Sequence, residues 1–461
     1  MNALLDPIFV YRVLRNTLTD EYRILKFDEN KMRKYQNKEF LKVLKFAFSV
    51  PVYHDKYKKA GISLNDIRGV QDITKLPVVT KKDFLEGFPD KIISKNFDME
   101  HGHTVSTGGS SGKPVSIYVS WYEILKSYGT STSEIRSYGY NWKKMKVVNI
   151  GNYNPYRADQ EFFSKSLDAL SFLSITKNYK RIRVETPPKQ IVQELDKYKP
   201  DFIYTYGGTL LNLANWMRKG FGKNIKPKLL GTCGAILDDY TRQYVEDAFG
   251  CKIIDIYACV ESGCSIAFQC QKGNYHIHSD FILLEALDDN YKPVEPGQLG
   301  RTCITKLYTG GTPIIRYAGL DDWIKLGKKQ CDCNVKTPLI DRIQGRVSHN
   351  VILPNGAVFP AGAFTFIADV LHDLKTYKVK RFQIVQTRID KIEISVIIDD
   401  TLRDVGPSVK TIFEKIKEVY QKKVGKDVEV TVKEVDDIKG DPKTGKPAPV
   451  VVSKVKLKEI I

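Results

Sequence analysis

Short apolar strands alternate with amphipathic helices through the middle of the chain, and this alternation limits the possible folds. Each predicted helix is about ten residues long and separates two predicted strands, as in parallel sheets of the α/β class. Ligands in such sheets bind where loops leave the carboxyl ends of the strands. We therefore expect the binding site at that edge. The predicted strands are 147–151, 201–205, 228–232 and 251–257, and the predicted helices are 188–198, 210–219 and 241–249.

The two ends of the chain follow other patterns. Residues 1 to about 60 are predicted to be helical, with Pro51 ending the run. Near the C-terminus, alternating strands flank an amphipathic helix at about 409–422. A chain of 461 residues exceeds one ordinary hydrophobic core. We expect a large α/β N-terminal domain with mixed or parallel sheets at 1–345, and a small mobile α+β domain at 346–461 across a hinge.

The net charge of +18 is compatible with binding to nucleic acid, an anionic membrane or acidic substrates. The lysines are scattered, however, and no helix-turn-helix, zinc-finger or RNA-binding signature accompanies them. A nucleic-acid-binding role would therefore rest on net charge alone, and we expect no specific nucleic-acid partner. No stretch approaches the ~18 apolar residues of a membrane span. Eight cysteines without a secretory signal indicate a reducing compartment, so we expect a cytoplasmic protein.

A glycine-rich loop precedes a predicted strand at 115–119. Its three glycines let the backbone approach a ligand closely, and its amides and hydroxyls can face phosphate oxygens. It is not a Walker P-loop, because Pro114 follows the lysine and a strand follows the loop. The alternative is a flexible turn without a ligand. The loop residues are Ser106, Thr107, Gly108, Gly109, Ser110, Ser111, Gly112 and Lys113.

Three later segments also carry polar groups at informative places. Glu261 follows a predicted strand, where a ligand would sit. Arg316-Tyr317 is followed by Asp321, whose carboxylate could accept two ribose hydroxyls. Lys446 lies in a turn near the C-terminus. Each has an ordinary alternative: a structural glutamate, a surface Arg/Asp turn and a solvated lysine.

In this order, the motifs resemble the adenylate-forming superfamily of acyl-CoA synthetases and peptide-synthetase adenylation domains. Within it, the chain is most similar to phenylacetate–CoA ligases and their capsule-biosynthesis (CapK-like) relatives. The resemblance runs from about residue 40 to about residue 455. Besides the glycine-rich loop, the matching segments are Thr232-Cys233-Gly234-Ala235, Tyr257-Ala258-Cys259-Val260-Glu261, Ile315-Arg316-Tyr317 with Asp321, Arg342-Ile343 with Gly345-Arg346, and Gly445-Lys446.

The resemblance implies an ATP-dependent, AMP-forming ligase that activates a carboxylic acid as an acyl-adenylate. Catalysis of this kind is mostly positioning and electrostatic stabilisation. The glycine-rich loop would hold the β- and γ-phosphates, and Glu261 would bind Mg²⁺. Lys446 would bridge the α-phosphate and the acyl carboxylate, with Lys113 as the other catalytic lysine. The remaining nucleotide-binding residues would be Gly234 and Ala235 against adenine, Asp321 and Arg342 near the ribose, and the Tyr257, Ala258, Cys259 and Val260 segment.

The sequence says less about the second half-reaction, in which the acyl group passes to an acceptor. In this superfamily the small domain rotates about the hinge and removes the lysine. Ser348-His349 stands where phenylacetate–CoA ligases have Asp-Asp, and Pro354-Asn355 replaces their Arg-Gly, which weakens the case for phenylacetate and for CoA. CoA is the first acceptor to test, and an amine, a carrier-protein thiol or no acceptor are the alternatives. The protein could also be an amide-forming or adenylyl-transferring CapK-like enzyme, or a non-catalytic nucleotide-binding protein; a homodimer is possible.

The acyl pocket is predicted from residues at strand ends. The candidates are Tyr206, Gly207, Gly234 and Ala235, and also Tyr153, which has the weakest support among them. Their aromatic rings would suit an aryl or flat acid, and the alternative is that they belong to the core.

Four further residues form a candidate zinc site. Cys270 and His276 precede Cys331 and Cys333, and three thiolates with one imidazole would make a closed tetrahedral Zn²⁺ site. The spacing is not that of a standard zinc finger, but some phenylacetate–CoA ligase relatives look similar here. Cys264 or His278 could replace one ligand, and free thiols are the alternative.

Overall fold

The computed structural model describes most of the chain. The described residues are 21–99, 102–107, 114–169, 177–234, 237, 239–320, 322–344, 351–359, 364–376, 378–438 and 450–455. The following residues predicted for the site lie outside these ranges: Gly108, Gly109, Ser110, Ser111, Gly112, Lys113, Ala235, Asp321 and Lys446.

The N-terminal part is helical from residue 21 to residue 59, as predicted, and residues 1–20 of that prediction lie outside the described residues. Its helices are α1 (Glu21–Ile24), α2 (Glu29–Ala47), α3 (Pro51–Lys59) and α4 (Lys81–Gly87). The prediction that Pro51 ends a helix is wrong, because α2 already ends at Ala47 and Pro51 begins α3. Proline suits the first turn of a helix, where its missing N–H would have no intrahelical partner.

A β-hairpin surrounds the glycine-rich loop. Strands β1 (His103–Ser106) and β2 (Ser116–Val119) pair antiparallel. Helix α5 (Trp121–Ser137) follows directly, and a reciprocal capping box between Ser120 and Glu123 fixes its first turn. The hairpin and α5 therefore fix the described residues on both sides of the loop, Ser106 and Thr107 before it and Ser116 after it.

The main sheet has eleven strands in the order β10-β11-β12-β13-β9-β8-β7-β6-β5-β3-β4. Strands β3 to β7 run parallel, with helices α7, α8 and α9 in the crossovers, which confirms the predicted α/β alternation. From β8 onward the sheet is antiparallel, so the sheet as a whole is mixed. The elements are β3 (Val147–Gly151), α6 (Lys165–Ala169), β4 (Tyr179–Arg183), α7 (Pro188–Tyr198), β5 (Phe202–Tyr206), α8 (Gly207–Arg218), β6 (Leu229–Cys233), α9 (Asp239–Phe249), β7 (Lys252–Ala258), β8 (Ser265–Gln269), β9 (Tyr275–Ile277), β10 (Ile282–Leu287), β11 (Leu299–Lys306), β12 (Trp323–Leu326) and β13 (Leu339–Gln344).

The C-terminal part is an α+β unit with its own sheet, as predicted. A four-stranded sheet in the order β18-β17-β16-β19 carries α11, whose Ile412, Ile416 and Tyr420 are buried against it. The domain boundary at 345/346 falls outside the described residues and stays a prediction. The elements are β14 (Val351–Ile352), β15 (Val358–Phe359), α10 (Ile367–Asp373), β16 (Val379–Arg388), β17 (Lys391–Ile398), α11 (Val409–Val424), β18 (Glu429–Glu434) and β19 (Val451–Ser453).

One cluster of buried apolar side chains joins the two parts. It extends from Ile150 and Leu210 beside the main sheet to Phe364 and Ile394 of the C-terminal unit. Among the helices of the described ranges, none is both long enough and apolar enough to cross a membrane.

Candidate active site and Cys/His cluster

The carboxyl ends of the parallel strands form the edge where the sequence predicts a binding site. Tyr206 ends β5, Gly207 begins α8, and Gly234 follows β6. Gly234 has a φ of +86°, a left-handed conformation that favours glycine, and a Cβ there would lie 3.4 Å from Cδ1 of Tyr206. Gly234 is exposed, and Tyr206 and Gly207 are half-buried. The three residues therefore lie together at the edge where ligands of such sheets bind in a crevice, and their roles toward an acyl group or adenine stay predictions.

Tyr153 behaves differently from the other acyl-pocket candidates. Its side chain is buried, and its hydroxyl donates to the side chain of Asn149 and, at 3.1 Å, to the Asn149 carbonyl. Burial raises the pKa of this phenol. The arrangement fits the core alternative better than the wall of a pocket.

Glu261 lies in the turn after β7. Its side chain is 4% exposed, and the hydroxyl of Tyr317 donates to its Oε1 at 3.1 Å. Burial raises the pKa of Glu261, while the Tyr317 hydrogen bond and the charge of Lys81 oppose the rise. A buried carboxylate at a strand end is suited to hold a hard cation such as Mg²⁺.

The rest of the same motif forms a tight turn. Ser262 donates through Oγ to the Cys259 carbonyl at 2.8 Å and through its N–H to Cys259 Sγ at 3.3 Å. Val260 and Cys259 are half-buried, and Ala258 is exposed. The Tyr257 hydroxyl lies 3.2 Å from Oδ2 of Asp322, the residue after the predicted ribose ligand. The segment after residue 320 is thereby tied to the end of β7.

The stem of the glycine-rich loop is closed by hydrogen bonds. Thr107 donates its N–H to the Val115 carbonyl at 2.8 Å and accepts the Val115 N–H on Oγ1 at 2.9 Å. Ser106 Oγ lies 2.8 Å from Ser116 Oγ. The Thr107 oxygen is thus engaged in the stem.

A chain of contacts joins these segments into one site. The Ser106 N–H donates to the Tyr156 carbonyl at 2.8 Å. A Cβ on Gly263 would lie 3.3 Å from the Phe162 ring, and Tyr308 donates to the Ser262 carbonyl at 3.3 Å. The loop stem, the segment after β3 and the turn after β7 therefore meet at the carboxyl edge of the sheet.

The two arginines of the predicted motifs differ in their roles. Arg316 is buried and makes a two-point ion pair with Glu285, at 3.2 and 3.0 Å, while donating to the Leu76 carbonyl at 2.7 Å. It positions Tyr317 although its own φ of 45° is unusual for a non-glycine residue. Arg342 is exposed on β13, opposite Lys325 of β12.

Sequence reasoning missed a polar group between β3 and β5. Asp159 Oδ2 accepts the Asn152 N–H at 2.8 Å and the Tyr206 hydroxyl at 2.6 Å. Burial raises the pKa of Asp159, and the charge of Glu185 adds to the rise. The sequence shows a run of polar residues directly after the buried strand β3, but it does not indicate which of them meets Tyr206.

The four residues of the predicted zinc site come together. Their ligand atoms all lie within 4.8 Å of one another, with 3.8 Å between the sulfurs of Cys270 and Cys331 and 3.2 Å between Cys333 Sγ and His276 Nε2. Pairing of β13 with β9, Leu339 opposite His276, brings the two halves of the cluster together.

The surroundings of the cluster orient its ligand atoms. His276 Nδ1 lies 3.2 Å from the Thr337 carbonyl, which leaves Nε2 to face the sulfurs. The Val335 N–H donates to Cys333 Sγ at 3.4 Å, and the Asn274 amide donates to Cys331 Sγ at 3.2 Å. Desolvation raises the pKa of Cys333 to about 12 and lowers the pKa of His276 to about 4.

The two substitute ligands named from the sequence do not join this cluster. His278 is buried with Nε2 at 3.2 Å from Glu134 Oε1 and Nδ1 at 3.5 Å from Asp280 Oδ1. Cys264 forms its side-chain hydrogen bond with Tyr308.

Comparison with known proteins gives relatives over most of the chain, although no family model matches it. The chain is 23% identical over 379 residues to the phenylacetate-coenzyme A ligase of Pseudomonas putida, covering 79% of this chain and 81% of the relative. It is 22% identical over 393 residues to that of Thermus thermophilus, covering 82% and 84%. It is 24% identical over 368 residues to that of Escherichia coli, covering 76% and 78%.

Solved structures share the fold over nearly the whole chain. A 2-hydroxyisobutyryl-CoA ligase in complex with 2-HIB-AMP and CoA superposes with a TM-score of 0.64 at 18% identity, covering 94% of this chain and 91% of that one. The same ligase in its postadenylation state has a TM-score of 0.61 at 18% identity, covering 95% and 93%. At this identity the likeness shows a shared fold.

Proposed function

We propose that this chain, which belongs to the adenylate-forming superfamily beside the phenylacetate–CoA ligases, is an ATP-dependent, AMP-forming acid–CoA ligase. The main support is the convergence of Ser106, Glu261 and Tyr317, which are distant in sequence, on the carboxyl edge of one sheet. A relative in fold binds an acyl-adenylate and CoA at the same time, in keeping with both half-reactions.

In the first half-reaction, a carboxylate oxygen of the acid attacks the α-phosphorus of ATP and pyrophosphate leaves. The glycine-rich loop with Lys113 would hold the β- and γ-phosphates, and Asp321 with Arg342 would hold the ribose. Glu261 would hold Mg²⁺, which neutralises charge on the phosphates when bound. Lys446 would stabilise the charge that develops between the acid and the α-phosphate.

In the second half-reaction, the CoA sulfur attacks the acyl carbonyl carbon and AMP leaves. The C-terminal unit would turn between the two steps, carrying Lys446 away from the site. In the described arrangement the C-terminal unit is held by an ion pair of 3.0 Å between Arg157 and Asp369. A contact between the rings of Tyr156 and His372, tilted by 39° with centroids 4.2 Å apart, holds it as well. These contacts would break and re-form in each cycle. A homodimer and a cytoplasmic location stay predictions.

The Cys270, His276, Cys331 and Cys333 cluster would hold a structural Zn²⁺ ion. Tetrahedral zinc with bonds of ~2.3 Å to sulfur places two sulfurs roughly 3.8 Å apart, and Cys270 and Cys331 have this spacing. N–H donors to the sulfurs and the oriented imidazole are the supports expected around such an ion. A closed site of four protein ligands leaves no position for a substrate, so its role would be to stabilise the two turns.

The proposed function is tested by ATP–pyrophosphate exchange with a panel of aryl, fatty and amino acids. We expect exchange that depends on one class of acid and is lost in Lys446→Ala and Glu261→Gln. Glu295→Gln is the matched control, because Glu295 is exposed and lies outside the site. Exchange that survives in Glu261→Gln, or folded protein that binds ATP without exchange for any acid, would contradict the proposal.

A further inference from the structure

Asp159 occupies a position that the proposed reaction does not use. It follows β3, where Asp159–Ser164 form a π-helical turn that continues into α6, and such turns are frequent at functional sites. Its carboxyl group lies against the end of β3, since a Cβ on Gly151 would be 2.7 Å from its Cγ. A carboxylate at this place borders the crevice formed by Tyr206, Gly207 and Gly234.

The two carboxylate oxygens of Asp159 differ in their hydrogen bonds. Oδ2 accepts both hydrogen bonds that Asp159 receives from the described residues, one from the Asn152 N–H and one from the Tyr206 hydroxyl. Asp159 is only half-buried, and Oδ1 is not among the fully buried side-chain atoms that lack a hydrogen-bond partner. Oδ1 is therefore available to a molecule in the crevice, as an acceptor with its orientation already set.

The neighbours of Asp159 make the crevice polar. Asn154 donates to Asn152 Oδ1 at 2.5 Å and to Glu185 Oε1 at 3.3 Å, so a second carboxylate lies on the same side. A purely aryl or alkyl group placed here would leave Oδ1 desolvated and without a hydrogen bond, which is costly. A substrate group that donates a hydrogen bond avoids that cost.

We infer that Asp159 selects acids that carry a hydrogen-bond donor, a hydroxyl or an ammonium group, besides the carboxylate that is activated. This inference rests on the proposed function, because it assigns the substrate class of the same crevice. Asp159 contacts the substrate through Oδ1, and Tyr206 acts as a positioning residue that holds Oδ2. The aryl acid suggested by the tyrosines would then need a polar substituent.

Asp159→Asn separates recognition from folding. The amide oxygen can still accept from Asn152 and Tyr206, whereas the amide NH₂ replaces Oδ1 and cannot accept a donor from the substrate. Asp168→Asn is the matched control in the same segment, since Asp168 pairs with Arg181 at the surface, 2.9 Å away. Urea unfolding of both variants should match that of the parent protein.

The experiment measures kcat/KM for ATP–pyrophosphate exchange with matched acids. The panel contains phenylacetate, mandelate, phenylglycine and 4-hydroxyphenylacetate, and also propionate, lactate, alanine and 3-hydroxypropionate. We expect the best acid to carry a hydroxyl or ammonium group, and whichever of the two is preferred identifies the donor. Asp159→Asn should lower kcat/KM for it by about 10- to 100-fold and change its unsubstituted counterpart by less than about threefold.

Two results would overturn the inference while leaving the proposed function intact. One is an unsubstituted acid as the best substrate of the parent protein. The other is an equal loss for all acids in Asp159→Asn, which indicates a structural role. If no acid supports exchange, the proposed function fails. Calorimetry with the same acids then tests the inference by itself. Acids that carry a hydrogen-bond donor must bind to the parent protein more tightly than to the Asp159→Asn variant.

Discussion

A buried ion pair behind the glycine-rich hairpin gives the sharpest prediction about stability. Lys306 of β11 and Glu123 of α5 are both fully buried, with 2.7 Å between Nζ and Oε1. The other carboxylate oxygen of Glu123 accepts the Ser120 N–H at 3.0 Å, so the pair also fixes the start of α5. A Cβ on Gly310 would lie 2.1 Å from Ser120 Oγ, which shows how closely the next loop packs on this point.

Lys306→Met removes the positive partner and leaves the Glu123 carboxylate buried. Removing one member of a buried pair costs about 3–5 kcal/mol in the free energy of unfolding, because the remaining charge is uncompensated. Loss of the contact between Lys306 and the Tyr308 ring, 4.7 Å from Nζ to the centroid, places the cost toward the upper half of that range. Glu123→Gln alone leaves the lysine uncompensated and should cost a similar amount.

The double variant Glu123→Gln/Lys306→Met separates charge burial from lost packing. Glutamine still completes the capping box, and neither residue is charged, so the double variant should be more stable than either single variant by about 2 kcal/mol. Urea unfolding followed by tryptophan fluorescence measures the three changes. The reasoning would be refuted if each single variant had a free energy of unfolding within about 1 kcal/mol of the parent protein. It would also be refuted if the double variant lost as much free energy of unfolding as the two single variants lose together.

Three other predictions concern the site and the cluster. Tyr317→Phe removes the hydroxyl that donates to Glu261. It should lower kcat/KM for MgATP by about 10-fold, while the free energy of unfolding falls by less than ~1.5 kcal/mol. An unchanged kcat/KM would contradict the role of the hydroxyl. Burial raises the pKa of Asp369 to about 6, so this carboxyl stabilises the folded state below pH 4 and its contribution is lost as the pH rises through 6. Asp369→Asn should remove that part of the pH dependence of the free energy of unfolding, measured by urea unfolding at several pH values. A pH profile identical to that of the parent protein would show that Asp369 does not cause it. Elemental analysis should find one zinc ion per chain. Cys333→Ser should lose the metal and have a lower melting temperature than the parent protein. Parent protein that contains no metal, with the same melting temperature as Cys333→Ser, would exclude a structural ion.

The local patterns of the sequence predicted the parallel part of the fold well. Strands β3, β5, β6 and β7 and the helices between them depend on hydrophobic periodicity within short windows, and they form where that periodicity places them. Strand β4 was not predicted, because Tyr179–Arg183 is rich in basic residues and lies at the edge of the sheet. Pro51 was misassigned because a proline both ends and begins helices, and only the following turn decides between them.

Long-range pairing lay beyond the sequence. That β8 to β13 continue the same sheet depends on contacts such as Leu339 opposite His276, which no local pattern encodes. The four residues of the Cys/His cluster could be named from residue type, but their convergence depends on this pairing. The motifs that contain Glu261 and Tyr317 meet in the structure, where the two side chains share a hydrogen bond, whereas no motif contains Asp159. Its importance becomes visible only when Tyr206, on another strand, donates to it.

The central claim is that the chain makes an acyl-adenylate and transfers it to CoA, and product analysis tests it most directly. Purified protein would be mixed with ATP, Mg²⁺ and the acid that supports exchange, first without CoA and then with it. The account predicts an enzyme-bound acyl-adenylate in the first step, and one AMP, one pyrophosphate and one acyl-CoA per turnover in the second. Release of ADP and phosphate, or AMP without any acyl product, would contradict it.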